Sequence, residues 1–342
     1  MNNPSLDPFS QARSLINDLF PLRPMIYWVD FLLTMVAAWG SFGLVIATPW
    51  HAPLQKMTWL VISAFAFFRG LAFIHEIAHQ RPADLPGFRW VWNGLCGLMF
   101  FLPTFTYLAH AYHHRISTFS TKDDLEYLPW AGRPVVEILL PFLIFPIVPF
   151  LMVARFLIVG PISLLVRGPL REWLLRHAST LKMNLRFEWR DISVPERRLA
   201  VWEETLCLGW WGLFLLVCYR IGGLHILLDW YIVIWLVLTI NHLRGLGRHR
   251  YAYTGNKVNF EAQVLDSVTV AGFSPMAPLL MPVGLRYHSV HHMFPSLPYH
   301  ALRQAHKRLQ KSLPKNHLYF KTLVRNFSTA LLNVFKPTHP VA

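Results

Sequence analysis

Four stretches of the chain stay apolar long enough to cross a bilayer as helices: residues 26–49, 58–74, 199–220 and 224–243. A short turn with Pro49 and Pro53 joins the first pair, and Gly222-Gly223 joins the second, so the pattern predicts two helical hairpins. Asp30 lies near the start of the first run, within reach of the interface, and Arg69 lies inside the second, where snorkelling toward the headgroups is expected. Residues 134–166 are equally apolar but carry Pro134, Pro141, Pro146, Pro149 and Pro161, which predicts an interfacial or re-entrant hairpin rather than one straight span. Residues 268–285 hold Pro275, Pro278 and Pro282 and are not counted as a span. The segment PFSQARSLINDLF, within an interfacial N-terminal segment 1–24, reads as a short amphipathic helix lying on the membrane, and 311–342 form a basic tail. The expected fold is therefore all-α: a polytopic membrane protein with about four transmembrane helices, interfacial or re-entrant helices and a His-rich cap. No internal repeat or linker divides the chain, so 1–342 is expected to be a single domain.

Composition supports the membrane reading. The 342 residues are 54% hydrophobic and only 15% charged, too apolar for an ordinary soluble domain. The formal charge of +14 is read as positive-inside bias and not as a nucleic-acid surface, because no basic helix interleaved with stacking aromatics stands out. Arg167, Arg171, Arg176, Lys182, Arg186, Arg190, Arg197 and Arg198 concentrate that charge in 167–198 and mark the cytoplasmic side. Cys96, Cys207 and Cys218 lie in apolar runs with no C-x-x-C, which argues against disulfides and cysteine-ligated metals. The first residues lack the basic start and the cleavage site of a signal peptide.

The chemistry lies in histidine. His288, His291 and His292 form H-x-x-H-H, and His110, His113 and His114 repeat the spacing; His75 and His79 stand four apart in HEIAH. At helical spacing each group projects from one stripe, a set of neutral nitrogen donors for a first-row transition metal. Eight imidazoles exceed what one ion holds, so more than one metal is expected. If 90–108 crossed the bilayer, the first two boxes would face opposite sides. Asn93 and Pro103 already interrupt that run, which is therefore expected to be a buried or re-entrant helix. In NHLRGLGRHR, His249 is the expected further ligand; His242, beside Asn241, is the weaker candidate and reads as an outer or interfacial histidine. Asp266 and Glu261 precede the third box and either hydrogen-bond ligand imidazoles or are solvated. His300 and His306 could orient ligands but read as surface histidines, and His51, His177, His225, His317 and His339 have no cluster partners in sequence.

HEIAH, HAYHH and HSVHH in this order, with LGRHRY and RYHSVHHMFPSLPYHALRQAH, closely resemble the membrane fatty acid desaturase/hydroxylase superfamily over roughly residues 60–310. The resemblance implies a non-haem di-iron centre at the cytoplasmic ends of a four-helix membrane core, using O2 and two external electrons. It implies His75, His79, His110, His113, His114, His249, His288, His291 and His292 as ligands, with His242, Asn241, Asp266 and Glu76 as possible outer-sphere or additional groups. The spacing of the first box and the leading His of the third look more like desaturases of lipid-linked acyl chains than like the acyl-CoA or front-end types. No H-P-G-G motif suggests a fused cytochrome b5 domain, so a separate donor of ferredoxin, rubredoxin or cytochrome b5 type is expected. Compactness and the absence of a retention signal point to a bacterial inner membrane.

An alkyl C–H bond offers acid–base chemistry no handle, whereas a metal pair that activates O2 can break it. Desaturation of an acyl chain is the expected reaction, with hydroxylation or ketolation of a lipid or carotenoid as the alternative. HEIAH also matches the H-E-x-x-H zinc-hydrolase signature, with Glu76 as the base of an intramembrane protease. That reading leaves HAYHH and HSVHH unexplained. A non-enzymatic lipid- or metal-binding membrane protein is the remaining alternative.

Overall fold

The computed structural model describes residues 8–336 apart from 167 and 254. Asp7, Arg167 and His339 therefore lie outside the described residues. The chain is mostly helical, an all-α polytopic membrane protein. Among the described residues five helices are long and apolar enough to cross a bilayer: Pro24–Ala47, Pro53–His79, Val148–Val166, Val194–Arg220 and His225–Leu246. Their outward side chains are apolar; Val36 is 71% exposed and Leu213 63%.

The third of these corrects the expected hairpin in 134–166. Val135–Ile144 is a short helix, and Val148–Val166 then runs to spanning length. Its prolines are accommodated locally. Pro149 falls in the first turn, where no intrahelical N–H is missed. Pro161 follows a π-helical stretch, Ala154–Val159, in which the Gly160 N–H reaches back to the carbonyl of Arg155. That widened turn gives the helix room for the proline ring.

Residues 90–108 contain no helix of spanning length, as expected. A turn of α-helix, Phe88–Trp92, widens into Asn93–Gly97, and a 3-10 segment, Thr104–His110, follows. The break is held by side chains. The Asn93 Oδ1 accepts from the Thr104 N–H at 3.1 Å, and its Nδ2 donates to Glu203 at 2.8 Å. Glu203, fully buried on Val194–Arg220, also accepts from the Thr104 hydroxyl and from the Phe105 N–H. Donors freed where the helix breaks are thus paired inside an apolar environment, which the bilayer requires. Val194–Arg220 itself starts at a capping box between Ser193 and Glu196. Arg69 does not snorkel alone: it pairs with Asp30 at 2.8 Å and donates to the Thr34 hydroxyl.

Within the described residues the chain forms two compact units, each made of separated segments. One comprises Tyr27–Ala111 and Leu139–His242 and holds nearly all of the spanning helices. The other comprises the described residues of 8–26, 112–138 and 243–336. In this second unit the expected N-terminal amphipathic helix is present as Pro8–Ser14. A two-stranded parallel sheet pairs Thr269–Val270 with Leu323–Val324, and bridges join His249 to Ser267 and Thr269 to Tyr287. These pairings bring the loop after the last span beside the third histidine box. Gly272 is required there, since a Cβ would stand 2.4 Å from the Arg325 carbonyl oxygen.

Candidate metal centre

Four imidazoles converge in the second unit. His113 Nε2 lies 3.0 Å from His249 Nε2; His288 Nε2 lies 3.0 Å from His249 Nε2 and 3.1 Å from His292 Nε2. All four are buried. The sequence produces this by ending a helix. His225–Leu246 stops short of His249, which then sits in an extended bridge and not two helical turns from His242. His288–Met293 is a short helix that places His288 and His292 four apart on one face.

Buried carboxylates behind two of these rings assign their tautomers. Both oxygens of Asp124 lie 3.0 Å from His113 Nδ1, and Asp266 lies 3.1 Å from His249 Nδ1. A carboxylate only accepts, so each Nδ1 carries the proton and each Nε2 presents a lone pair. Two such lone pairs facing each other at 3.0 Å repel unless a cation lies between them. Ligands at right angles about an ion, each at the usual metal–imidazole distance of about 2.1 Å, are about 3.0 Å apart. The arrangement therefore fits a transition metal. Burial, the largest cause, also pushes His249 and His288 well below the ordinary histidine range, which keeps them neutral donors.

The carboxylates are themselves held. Asp124 accepts from the Ser120 N–H at 3.0 Å and the Glu126 N–H at 2.9 Å. Ser120 takes a left-handed φ of 61° to aim its amide. Asp266 accepts from the Tyr127 hydroxyl at 3.1 Å and the Ala252 N–H at 3.0 Å, and burial pushes it up to about 6. Arg248, next to His249, is buried against Glu126, and Gln263 donates to the His113 carbonyl at 3.1 Å.

The boxes do not each point to one place, as single stripes would. His113 joins the quartet, while His114 Nε2 meets His291 Nε2 at 3.1 Å. Adjacent helical residues diverge by about 100°, so His291 leaves the stripe of His288 and His292. In the other unit, His75, His79 and His110 cluster with ring centroids 4.8–4.9 Å apart, and Tyr107 stacks on His110 at 4.6 Å. Glu76 accepts from the Tyr27 hydroxyl at 2.5 Å, while its approach to His75 Nδ1 is 3.8 Å, too long for a hydrogen bond.

Of the outer groups anticipated from sequence, Asp266 backs an imidazole and Glu261 is exposed. His242 packs against Phe142 and Phe145 in the membrane unit, and Asn241 lies half-buried on the same helix. His300 and His306 are not plain surface residues. His300 accepts from the Arg23 N–H, and His306 is buried 2.5 Å from the Tyr319 hydroxyl. His317 is also buried and caps a turn by accepting from the Tyr319 N–H. Asp124, Glu126 and Gln263 were missed by sequence reasoning. The available signal was the acidic run DDLE soon after the second box, in a chain with only 18 acidic residues.

The profile of the fatty acid desaturase family matches residues 54–323. A ceramide hydroxylase of Caulobacter vibrioides (strain NA1000 / CB15N) is 33% identical over 328 residues, covering 95% of this chain and 92% of that protein.

Proposed function

The chain belongs to the fatty acid desaturase family, and from that premise we propose that it hydroxylates the hydrocarbon chain of a ceramide-like lipid. Membership makes it an oxidoreductase of the lipid desaturase/hydroxylase type. The single observation that carries the site assignment is the quartet of facing Nε2 lone pairs, two of them fixed by buried carboxylates. In this reading His113, His249, His288 and His292 hold one iron. His75, His79 and His110 in the membrane unit, and His114 and His291 in the other, are the box histidines that the quartet leaves over. A bound iron pair supplies the O2-dependent oxidising power that no acid–base group in the chain has.

The protein's own part is ligation and exclusion of water. Asp124 and Asp266 hold the Nδ1 protons of His113 and His249 and so fix the ring orientation. The apolar spans let a lipid tail approach without crossing water. The basic stretch 171–198 favours the cytoplasmic side for the site. A separate ferredoxin-, rubredoxin- or cytochrome b5-type protein would deliver the electrons there.

Hydroxylation inserts one oxygen atom into a C–H bond and reduces the other to water; desaturation removes two hydrogens and reduces both oxygens to water. The extended similarity to a ceramide hydroxylase favours the first. The box spacing that looks like desaturases of lipid-linked acyl chains supports the second. Mass spectrometry of lipids from cells expressing the chain beside its His288→Ala variant tests both. Lipids gaining an oxygen only with the intact chain support hydroxylation, and lipids losing two hydrogens replace it with desaturation. No new lipid from iron-loaded protein in air overturns the proposal.

A further inference from the structure

We propose that a cleft at the end of the first-box helix seats a head-group oxygen of the lipid substrate, with Gln80 and Arg89 as its hydrogen-bond donors. This rests on the reading of the chain as a lipid oxidase. The helix Phe73–His79 ends where Gln80 turns extended, and the chain returns through Pro82 to the short helix Phe88–Trp92. Between them lies a cleft whose apolar wall is Ile77, Leu85 and Phe88. It leaves about 20 Å³ for the centre of a water-sized group.

Two donors at this cleft are unspent. Gln80 Nε2 and Arg89 Nε are buried, and neither has a hydrogen-bond partner among the described residues. Arg81, on the same cleft, is accounted for by Asp84 at 2.9 and 3.1 Å. Among the described residues Arg89 forms no ion pair within 4 Å, and Glu203 acts on it only through its charge at longer range. A buried guanidinium N–H and a buried amide N–H left unpaired are costly, so the site calls for a ligand that brings acceptors. Two donors converging on a narrow apolar cleft suit a single neutral hydroxyl oxygen, taken here as the primary hydroxyl of the head group. The apolar wall suits the start of a hydrocarbon chain. An amphiphile with a neutral, oxygen-bearing head, of which ceramide is one, has this chemistry.

The location gives the site a role. Ile77 lies on the face of the helix turned away from His75 and His79, and Gln80 follows the helix's last residue. An oxygen held there is about a helix diameter, ~10 Å, from those imidazoles. Anchoring it would favour oxidation near the head of the lipid over oxidation near the tail tip.

The test uses the full-length, iron-loaded protein with a short-acyl ceramide and its analogue lacking the primary hydroxyl. Binding is read by native mass spectrometry, turnover by product, and iron by elemental analysis. Arg89→Lys keeps the charge but loses the Nε donor, and Gln80→Leu removes the second donor. Each variant is expected to bind the ceramide roughly 10- to 100-fold more weakly, as for loss of a hydrogen bond to a charged or buried partner. KM should rise with little change in kcat, and iron content should be unchanged. The hydroxyl-lacking analogue should bind the intact protein weakly and be indifferent to both substitutions. Unchanged binding in both variants overturns the proposal, as does equal loss for ceramide and analogue. If the lipid binds in the predicted way but no oxidised product forms, the reaction reading fails while the site stands. If product forms and the variants bind normally, the site fails while the reaction stands.

Discussion

Replacing Asp124 by Asn tests the buried carboxylate behind the quartet. Asp124 is fully buried and uses both oxygens: each lies 3.0 Å from His113 Nδ1, Oδ2 accepts from Ser120 N and Oδ1 from Glu126 N. Asparagine has the same shape, but one oxygen becomes an NH2 group. Whichever way the amide is turned, that NH2 faces a backbone N–H, donor against donor. A buried donor left unpaired costs about 1–3 kcal/mol of stability. Loss of the negative charge also makes His113 a poorer metal donor. Removing such a partner lowers metal affinity about 10- to 100-fold, roughly 1.4–2.7 kcal/mol. The assay is competition for iron against a chelator of known affinity, with thermal unfolding in the same detergent. Asp124→Asn should remain folded, melt lower and lose iron at lower chelator concentration. Unchanged affinity together with a lowered melting point would refute the reasoning, since Asp124 would then support only the loop.

Three other expectations concern different parts of the molecule. Lys56 and Asp229 form a buried pair at 2.6 Å, so Asp229→Ala should cost about 3–5 kcal/mol by stranding the ammonium, and Lys56→Met with Asp229→Leu should recover most of it; thermal unfolding of the two variants beside the parent decides. Glu203→Ala should destabilise the break before the second box by about 2–4 kcal/mol, because the Asn93 Nδ2 and Phe105 N–H donors lose their acceptor; unfolding midpoints unchanged from the parent would contradict this. His306 is held down from 6.5 to about 4, first by burial and then by Arg286. The unfolded chain therefore takes up this proton first, and stability present above pH 6.5 should be lost as pH falls toward about 4. His306→Gln should flatten that slope in melting points taken across the window.

Much of the fold could be read from hydropathy, because a bilayer forces every spanning segment to be a long apolar helix. The five prolines of 134–166 rightly argued against one straight span but hid the spanning length of Val148–Val166. Sequence pattern does not show that the turn preceding Pro161 widens to Ala154–Val159 and makes room for the ring. The nine box and loop histidines were legible because their spacing is local. Their sorting was not. Whether His113 or His114 joins His249 depends on where two short helices end and how they face each other, which is tertiary geometry. The same limit hid Asp124. Its acidity is visible in the sequence, but its role depends on a loop that folds it back onto His113. Glu203 was hidden because a carboxylate inside an apolar run gives no indication of which broken helix it will cap.

Metal analysis of the purified, full-length chain tests the central claim most directly. Elemental analysis with Mössbauer spectroscopy should find two irons per chain, and His288→Ala together with His292→Ala should reduce that number while the protein stays folded. A single zinc per chain, retained in that double variant and lost on His79→Ala, would contradict the account and return the H-E-x-x-H hydrolase reading to the first box.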